Sequence, residues 1–245
     1  MVGPERPVIA LFGSSFVQYS FSNGGWGAIL ADVYARKADI VVRGYQGWNS
    51  RRALEVIDKV FPKDAAVQPS LVVMYFGGND SIGKHPSGLG PHVPLEEYVE
   101  NMRKIANHIK LKVSTVAFFS IDRGALTNVS RTNEVGKRYS DALIMLCKEM
   151  KIEAIDAFHM IQRREDWETA CIMSDGIHLT EEASKLLAGD ILKVIKNAKW
   201  EPSLYWQSLP TEFGEPSDYY VVAPDGKSTI NQSDWTYHRK IRWDV

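Results

Sequence analysis

Val8-Ile9-Ala10-Leu11-Phe12-Gly13-Ser14-Ser15 is a run of five apolar residues stopped by a glycine and two serines. Unbroken apolarity over a short span, rather than alternation, is how a strand buried on both faces reads, and Gly-Ser-Ser then turns the chain out of it. Ala38 to Val42 and Leu71 to Phe76 repeat the pattern, the latter preceded by Pro69 and closed by Gly77-Gly78-Asn79-Asp80. Val113 to Phe119 and the short Ile152 to Ile155 read as a fourth and a fifth strand. Helical spacing fills the intervals. Trp26 to Arg36 puts Ile29, Leu30, Val33 and Tyr34 on one face, and a helix capped by Asn49 or Ser50 runs to Val60 with Ala53, Leu54 and Ile57 inward. Leu95 to Ile109, Asn133 to Met150, Ala157 to Glu165 and Thr180 to Ala198 complete the set, Thr180 serving as an N-cap. Apolar strands alternating with helices predict an α/β domain whose parallel sheet is covered on both faces.

Composition narrows the function classes. The chain has 245 residues, 29 basic and 30 acidic side chains and a formal net charge of −1, so its bulk charge offers no footprint for nucleic acid or an anionic membrane. Two cysteines, Cys147 and Cys171, give no disulfide framework and read as small core residues. No His/Cys/carboxylate cluster suggests a metal, and no cofactor motif is found. His85 and His92 fall in a Gly- and Pro-broken segment, Ser81 to Pro94, that reads as a solvent-facing loop, while His108, His159 and His238 have no ligand spacing. The N-terminus shows no apolar leader region and no run is long enough to span a bilayer, so the expectation is a soluble, cytoplasmic protein. Residues 1–199 read as one domain. Residues 200–245, rich in proline and aromatics, read as a C-terminal extension, either wrapped over the domain or a partly ordered tail. Oligomeric state has no sequence signal.

In an open parallel sheet, chemistry collects beyond the carboxyl ends of the strands. Four polar punctuations belong there: Gly13-Ser14-Ser15, Gly44 to Asn49, Gly77 to Asp80, and Ser174-Asp175-Gly176-Ile177-His178-Leu179 before the last helix. Their residue types suit acyl transfer. A serine hydroxyl needs a base, an imidazole needs a carboxylate to fix its tautomer, and a tetrahedral oxyanion needs preset donors. Each residue also has a plainer reading: Asp175 as a helix cap, Gly47 and Asn79 as turn formers, Trp26 and Trp48 as core rather than pocket wall.

Taken together the four blocks, Leu11-Phe12-Gly13-Ser14-Ser15, Arg43-Gly44-Tyr45-Gln46-Gly47-Trp48-Asn49, Tyr75-Phe76-Gly77-Gly78-Asn79-Asp80 and Ser174 to Leu179, resemble the SGNH (GDSL-type) hydrolase superfamily. The likeness is greatest to plant members similar to isoamyl acetate-hydrolysing esterases and spans residues 8 to about 198. It implies a three-layer α/β/α, flavodoxin-like fold with a five-stranded parallel sheet. It implies a serine esterase acting on small, acetyl-type esters through an acyl-serine, with Ser15 as nucleophile, His178 as base and Asp175 orienting the imidazole. The oxyanion hole would be the N–H groups of Ser15 and Gly47 with the side chain of Asn79, Gly44 being the alternative backbone donor. The implied partner is a small-molecule ester. Two departures stand out: the usual Gly-Asp-Ser has Ser14 at its centre, and Phe119-Ser120-Ile121-Asp122-Arg123 replaces a proline-rich stretch that helps wall the substrate pocket. An acyltransferase or carbohydrate deacetylase would use the same residues. A scaffold that has lost turnover, or a flavodoxin-like nucleotide binder without a phosphate loop, are the other classes.

Overall fold

The computed structural model describes residues 3, 5–110, 115–119 (backbone alone) and 131–213. Of the loop expected over Asp122 to Thr132, all but Arg131 and Thr132 lie outside them, as do Ser120 to Arg123 of the substituted stretch and residues 214–245.

The chain opens with β1 (Val8–Gly13), α1 (Ser15–Gln18), α2 (Trp26–Val33), β2 (Asp39–Gly44), α3 (Ser50–Glu55), α4 (Ile57–Val60) and β3 (Leu71–Tyr75). It continues with α5 (Leu95–Lys110), β4 (Thr115–Phe119), α6 (Asn133–Met150), β5 (Glu153–Ile155), α7 (Ala157–Gln162), α8 (Trp167–Ala170) and α9 (Glu181–Asn197). The strands form one parallel sheet in the order β2-β1-β3-β4-β5. Chain direction across the sheet reverses between β1 and its neighbour β3, which opens a crevice at the carboxyl ends of those strands.

The period of two within β1 divides the core. Ile9 and Leu11 join a cluster with Trp26, Leu30, Leu187 and Ile191, while Ala10 and Phe12 face Met102, Ile105, Leu143 and Leu146 on the other side. Every residue of β3 is buried, as a strand covered on both faces requires. Phe12 locks its layer through edge-on contacts with Phe61 (5.2 Å) and Phe76 (5.0 Å).

Caps fall where side-chain chemistry favours them. Asn49 accepts from the Arg52 N–H (2.9 Å), and Thr180 accepts from the Ala183 N–H (3.3 Å). The helix expected from Asn49 to Val60 is broken at Val56, whose backbone (φ −116°, ψ 8°) ends α3 and starts α4. The helix expected from Ala157 to Glu165 stops at Gln162, and α8 follows after a turn. Of the C-terminal stretch, residues 200–213 pack on the domain. Leu204, Tyr205 and Leu209 join the first core cluster, the Tyr34 hydroxyl donates to the Leu204 carbonyl (2.9 Å) and Lys37 Nζ to that of Leu209 (2.8 Å).

Candidate active site

Register assembles the site before any side chain is considered. Gly13 of β1 lies opposite Gly44 of β2 and Tyr75 of β3, so three strands end level and their loops emerge side by side. A Cβ at Gly13 would lie 2.4 Å from the Tyr75 carbonyl oxygen and 2.6 Å from Val17, and one at Gly44 would lie 2.0 Å from the Gln18 nitrogen. Both positions therefore need glycine, because α1 folds directly back over the strand ends.

Ser15 is the first residue of α1. The Ser14 carbonyl accepts from the Val17 and Gln18 N–H groups (3.1 and 3.0 Å), leaving the Ser15 amide among the helix's unpaired donors. Its side chain is nearly buried, the residue being 8% exposed. Ser14, at the centre of the Gly-Ser-Ser turn, makes no capping bond. The neighbouring loop is held by other groups: the Tyr45 N–H donates to the Gly13 carbonyl (2.8 Å), the Gln46 N–H to Gln18 Oε1 (2.7 Å), and the Tyr19 hydroxyl to Gln46 Oε1 (2.7 Å). Gly47 then takes φ +78°, with open space where a side chain would be and no acceptor for its N–H among the described residues. Asn79, beyond β3, donates from Nδ2 to the Trp48 carbonyl (2.8 Å), so the loops after β2 and β3 are tied together.

Asp80 is wholly buried and braces the same pair of loops. One carboxylate oxygen accepts the Ser50 N–H at the head of α3 (2.9 Å), and the Asp80 carbonyl accepts from Val93 (3.0 Å). Burial pushes its carboxyl up to about 6, against the opposing pull of hydrogen bonds from Ser50 and nearby backbone. Its role is architectural: it orders its own loop and the next.

Asp175 and His178 sit in a turn closed by the Ile172–Leu179 bridge and by the Met173 N–H on the His178 carbonyl (2.8 Å), with Gly176 at φ +69°. Asp175 does two jobs at once. Oδ1 accepts the N–H groups of Ile177 and His178 (both 2.9 Å), while Oδ2 meets His178 Nδ1 at 2.5 Å. Partial burial pulls this carboxyl up, yet the bonds from the His178 ring and the two amides outweigh it and hold the group below its ordinary value. A proton shared at Nδ1 leaves Nε2 as a lone-pair acceptor, and Nε2 is buried with no hydrogen-bond partner. The ring packs on Phe16 (5.5 Å between centroids) and Tyr19 (5.3 Å), the residues just after Ser15. His178 thus touches Phe16, the chain neighbour of Ser15, and no hydrogen bond joins His178 to Ser15. Catalytic hydrogen bonds of this kind often close only around bound substrate.

A cavity of about 300 Å³ adjoins Asp175 and His178, lined also by Phe16, Tyr19, Trp26 and Leu179; Ser15 is not part of its lining. Trp26 is both wall and core: it is 1% exposed and its indole N–H donates to the Phe16 carbonyl (3.2 Å). Trp48 stacks on Tyr45 at 4.0 Å and belongs to the loop, not to this cavity. His92 is half-buried rather than solvent-facing, its Nδ1 lying 2.6 Å from the Ile82 carbonyl. No metal-binding group of His, Cys, Asp or Glu occurs among the described residues. None of their helices is long and apolar enough to cross a membrane. Sequence reasoning missed Arg131, which donates to the Gly78 carbonyl and to Asn79 Oδ1 (3.1 Å); lying 52 residues from Asn79, it has no local signature.

Fold and site first define a class: a parallel α/β domain with a serine, an Asp–His pair and free amide donors beyond the carboxyl ends of its strands. The family follows from comparison. Residues 11–186 match the model of the GDSL-like Lipase/Acylhydrolase family, and the chain belongs to that family. It is 57% identical to the GDSL esterase/lipase WDL1 of Oryza sativa subsp. japonica, the alignment covering 98% of this chain and 97% of that one. It is 30% identical to an isoamyl acetate-hydrolyzing esterase 1 homolog of Bos taurus, over 83% of this chain and 88% of that one. The fold superposes on a catalytic mutant of Axe2, an acetylxylan esterase from Geobacillus stearothermophilus, with TM-score 0.62 at 15% identity, covering 77% of this chain and 93% of that structure. The chain is a carboxylic ester hydrolase.

Proposed function

We propose that this esterase works through an acyl enzyme on Ser15 and prefers small acyl groups, acetyl first. The observation that carries the reading is the Asp175 Oδ2 to His178 Nδ1 contact of 2.5 Å, which leaves Nε2 unpartnered beside the head of α1. His178 Nε2 takes the Ser15 proton as Oγ attacks the ester carbonyl. The oxyanion that forms is received by the Ser15 and Gly47 N–H groups and by the Asn79 Nδ2 hydrogen not engaged by Trp48. The imidazolium, steadied by Asp175, returns the proton to the departing alcohol. Water, deprotonated by the same nitrogen, then cleaves the acyl-serine, and the second tetrahedral intermediate collapses to acid and free Ser15.

Hydrolysis of 4-nitrophenyl acetate, butyrate and octanoate by the wild type and by Ser15→Ala tests this, together with labelling by a fluorophosphonate probe. Turnover that is highest for acetate, lost in Ser15→Ala, with the label on Ser15, is the expected result. Turnover that persists in Ser15→Ala would remove the assignment of the nucleophile, and a label found elsewhere would relocate it.

A further inference from the structure

An asparagine amide can face either way, and only one way presents a donor to an oxyanion. In this chain both ends of the Asn79 amide are specified. Oδ1 accepts from Arg131 Nη2 at 3.1 Å, and guanidinium nitrogens are donors alone, so the NH2 group cannot occupy that side. Nδ2 faces the other way and spends one hydrogen on the Trp48 carbonyl at 2.8 Å, one residue past Gly47. Arg131 Nη1 meanwhile grips the Gly78 carbonyl, so a single planar fork holds both the backbone and the side chain of the loop after β3. Glycine at 78 is required by another neighbour, since a Cβ there would lie 2.4 Å from the Tyr75 hydroxyl.

We infer that Arg131 is a positioning residue for oxyanion stabilisation: it fixes the Asn79 amide with its free N–H toward the reacting carbonyl and sets a cation behind that donor. The inference rests on the esterase reading above. Arg131 does not touch substrate. It acts through Asn79, and because Asn79 also holds Trp48, the fork stiffens the loop that presents the Gly47 N–H.

The test is a double-mutant cycle on 4-nitrophenyl acetate hydrolysis, with thermal melts as the check on folding. Asn79→Ala is expected to lower kcat about 100- to 1000-fold, the size of effect seen when one oxyanion donor is removed. Arg131→Ala is expected to lower kcat about 10- to 100-fold with KM within about twofold, because the lost interaction belongs to the transition state. The double variant should be no slower than Asn79→Ala alone by more than about twofold, since both changes disable one device. Added methylguanidinium should raise kcat of Arg131→Ala and leave the double variant unmoved. Arg131→Lys, which keeps the charge without the fork, should fall between and serves for the cycle if the alanine variant melts below the assay temperature. Wild-type kcat in Arg131→Ala, or losses that multiply in the double variant, would overturn the inference while leaving the esterase reading intact. A wild type that neither turns over nor labels on Ser15 would overturn both.

Discussion

Replacing Asp175 with asparagine separates the two jobs of that side chain. The turn should survive, because Asn Oδ1 can still accept the Ile177 and His178 N–H groups that Asp175 Oδ1 accepts at 2.9 Å. Those bonds pass from charge-assisted to neutral, a loss of about 1–2 kcal/mol at most for a residue this exposed to solvent. For a domain of this size that lowers Tm by no more than about 4–8 °C. The chemistry should not survive. An amide nitrogen now faces His178 Nδ1 where Oδ2 stood at 2.5 Å, so Nδ1 must accept and the single ring proton moves to Nε2. An imidazole protonated at Nε2 cannot take the serine proton. The imidazolium also loses its only carboxylate partner among the described residues.

The expected fall in kcat is about 10³- to 10⁴-fold, or about 4–5.5 kcal/mol of barrier, the scale of a wrong tautomer in a serine triad. KM should change little, because ground-state binding does not involve the proton. The assay is kcat and KM on 4-nitrophenyl acetate beside a thermal melt of the same preparation. Fluorophosphonate labelling of Ser15 should slow in parallel, since it needs the same base. A folded variant within about tenfold of wild-type kcat would refute the argument, because no tautomer-dependent step would then be limiting. Asp175 would be a cap and nothing more.

Further expectations are sharp in sign. Asp80 binds its proton more tightly folded (about 6) than unfolded (3.8), so its contribution to stability is greatest below 3.8 and declines as pH rises to about 6. Asp80→Asn keeps an acceptor for Ser50 and lacks that decline, so its stability relative to wild type should grow by about 3 kcal/mol between pH 3.5 and 7, read from urea midpoints. A difference that stays flat with pH contradicts this. Two glycine variants should part company. Gly13→Ala, with contacts of 2.4 and 2.6 Å awaiting its methyl, should fail to fold or lose several °C of Tm together with activity. Gly47→Ala has free space but φ +78°, so it should cost only about 1–2 kcal/mol of stability while still lowering kcat through the displaced backbone N–H. Equal Tm losses in the two would show that the methyl contacts at Gly13 are relieved elsewhere.

Much of the frame was legible because its signals are local. A strand buried on both faces has to be apolar throughout, so β1 and β3 read directly from Val8 to Phe12 and Leu71 to Phe76. Asn49 and Thr180 could be read as caps because a cap is a matter of three residues. Other features had no local signal. Helix α1 is four residues long, too short to show a period, and exists because the Ser14 carbonyl can accept as the chain folds over Gly44. The break at Val56 divides a segment whose apolar spacing runs on unbroken. The struts Gln18–Gln46 and Tyr19–Gln46, which hold the loop beside Ser14, join residues 28 and 27 positions apart respectively.

The sequence alone determined which residues could do chemistry and at which strand ends they stand. Residue spacing by itself, without the family resemblance that singled out Asp175 and His178, does not tell apart two Asp-x-x-His motifs. Asp156-Ala157-Phe158-His159 is a second Asp-x-x-His, and it folds to the same local pair: Nδ1 to Oδ2 at 2.7 Å, with the His159 N–H on Oδ1 at 3.1 Å. Three-residue spacing is enough to make that contact, so the pair by itself carries no function. The aromatic contact of His159 is its own neighbour Phe158, at 5.2 Å, whereas His178 packs on Phe16 and Tyr19. Bond spacing within one turn sets the pairing. Only the packing of α1 against the 172–179 turn, across more than 150 residues of chain, sets one imidazole against Phe16, the residue after Ser15.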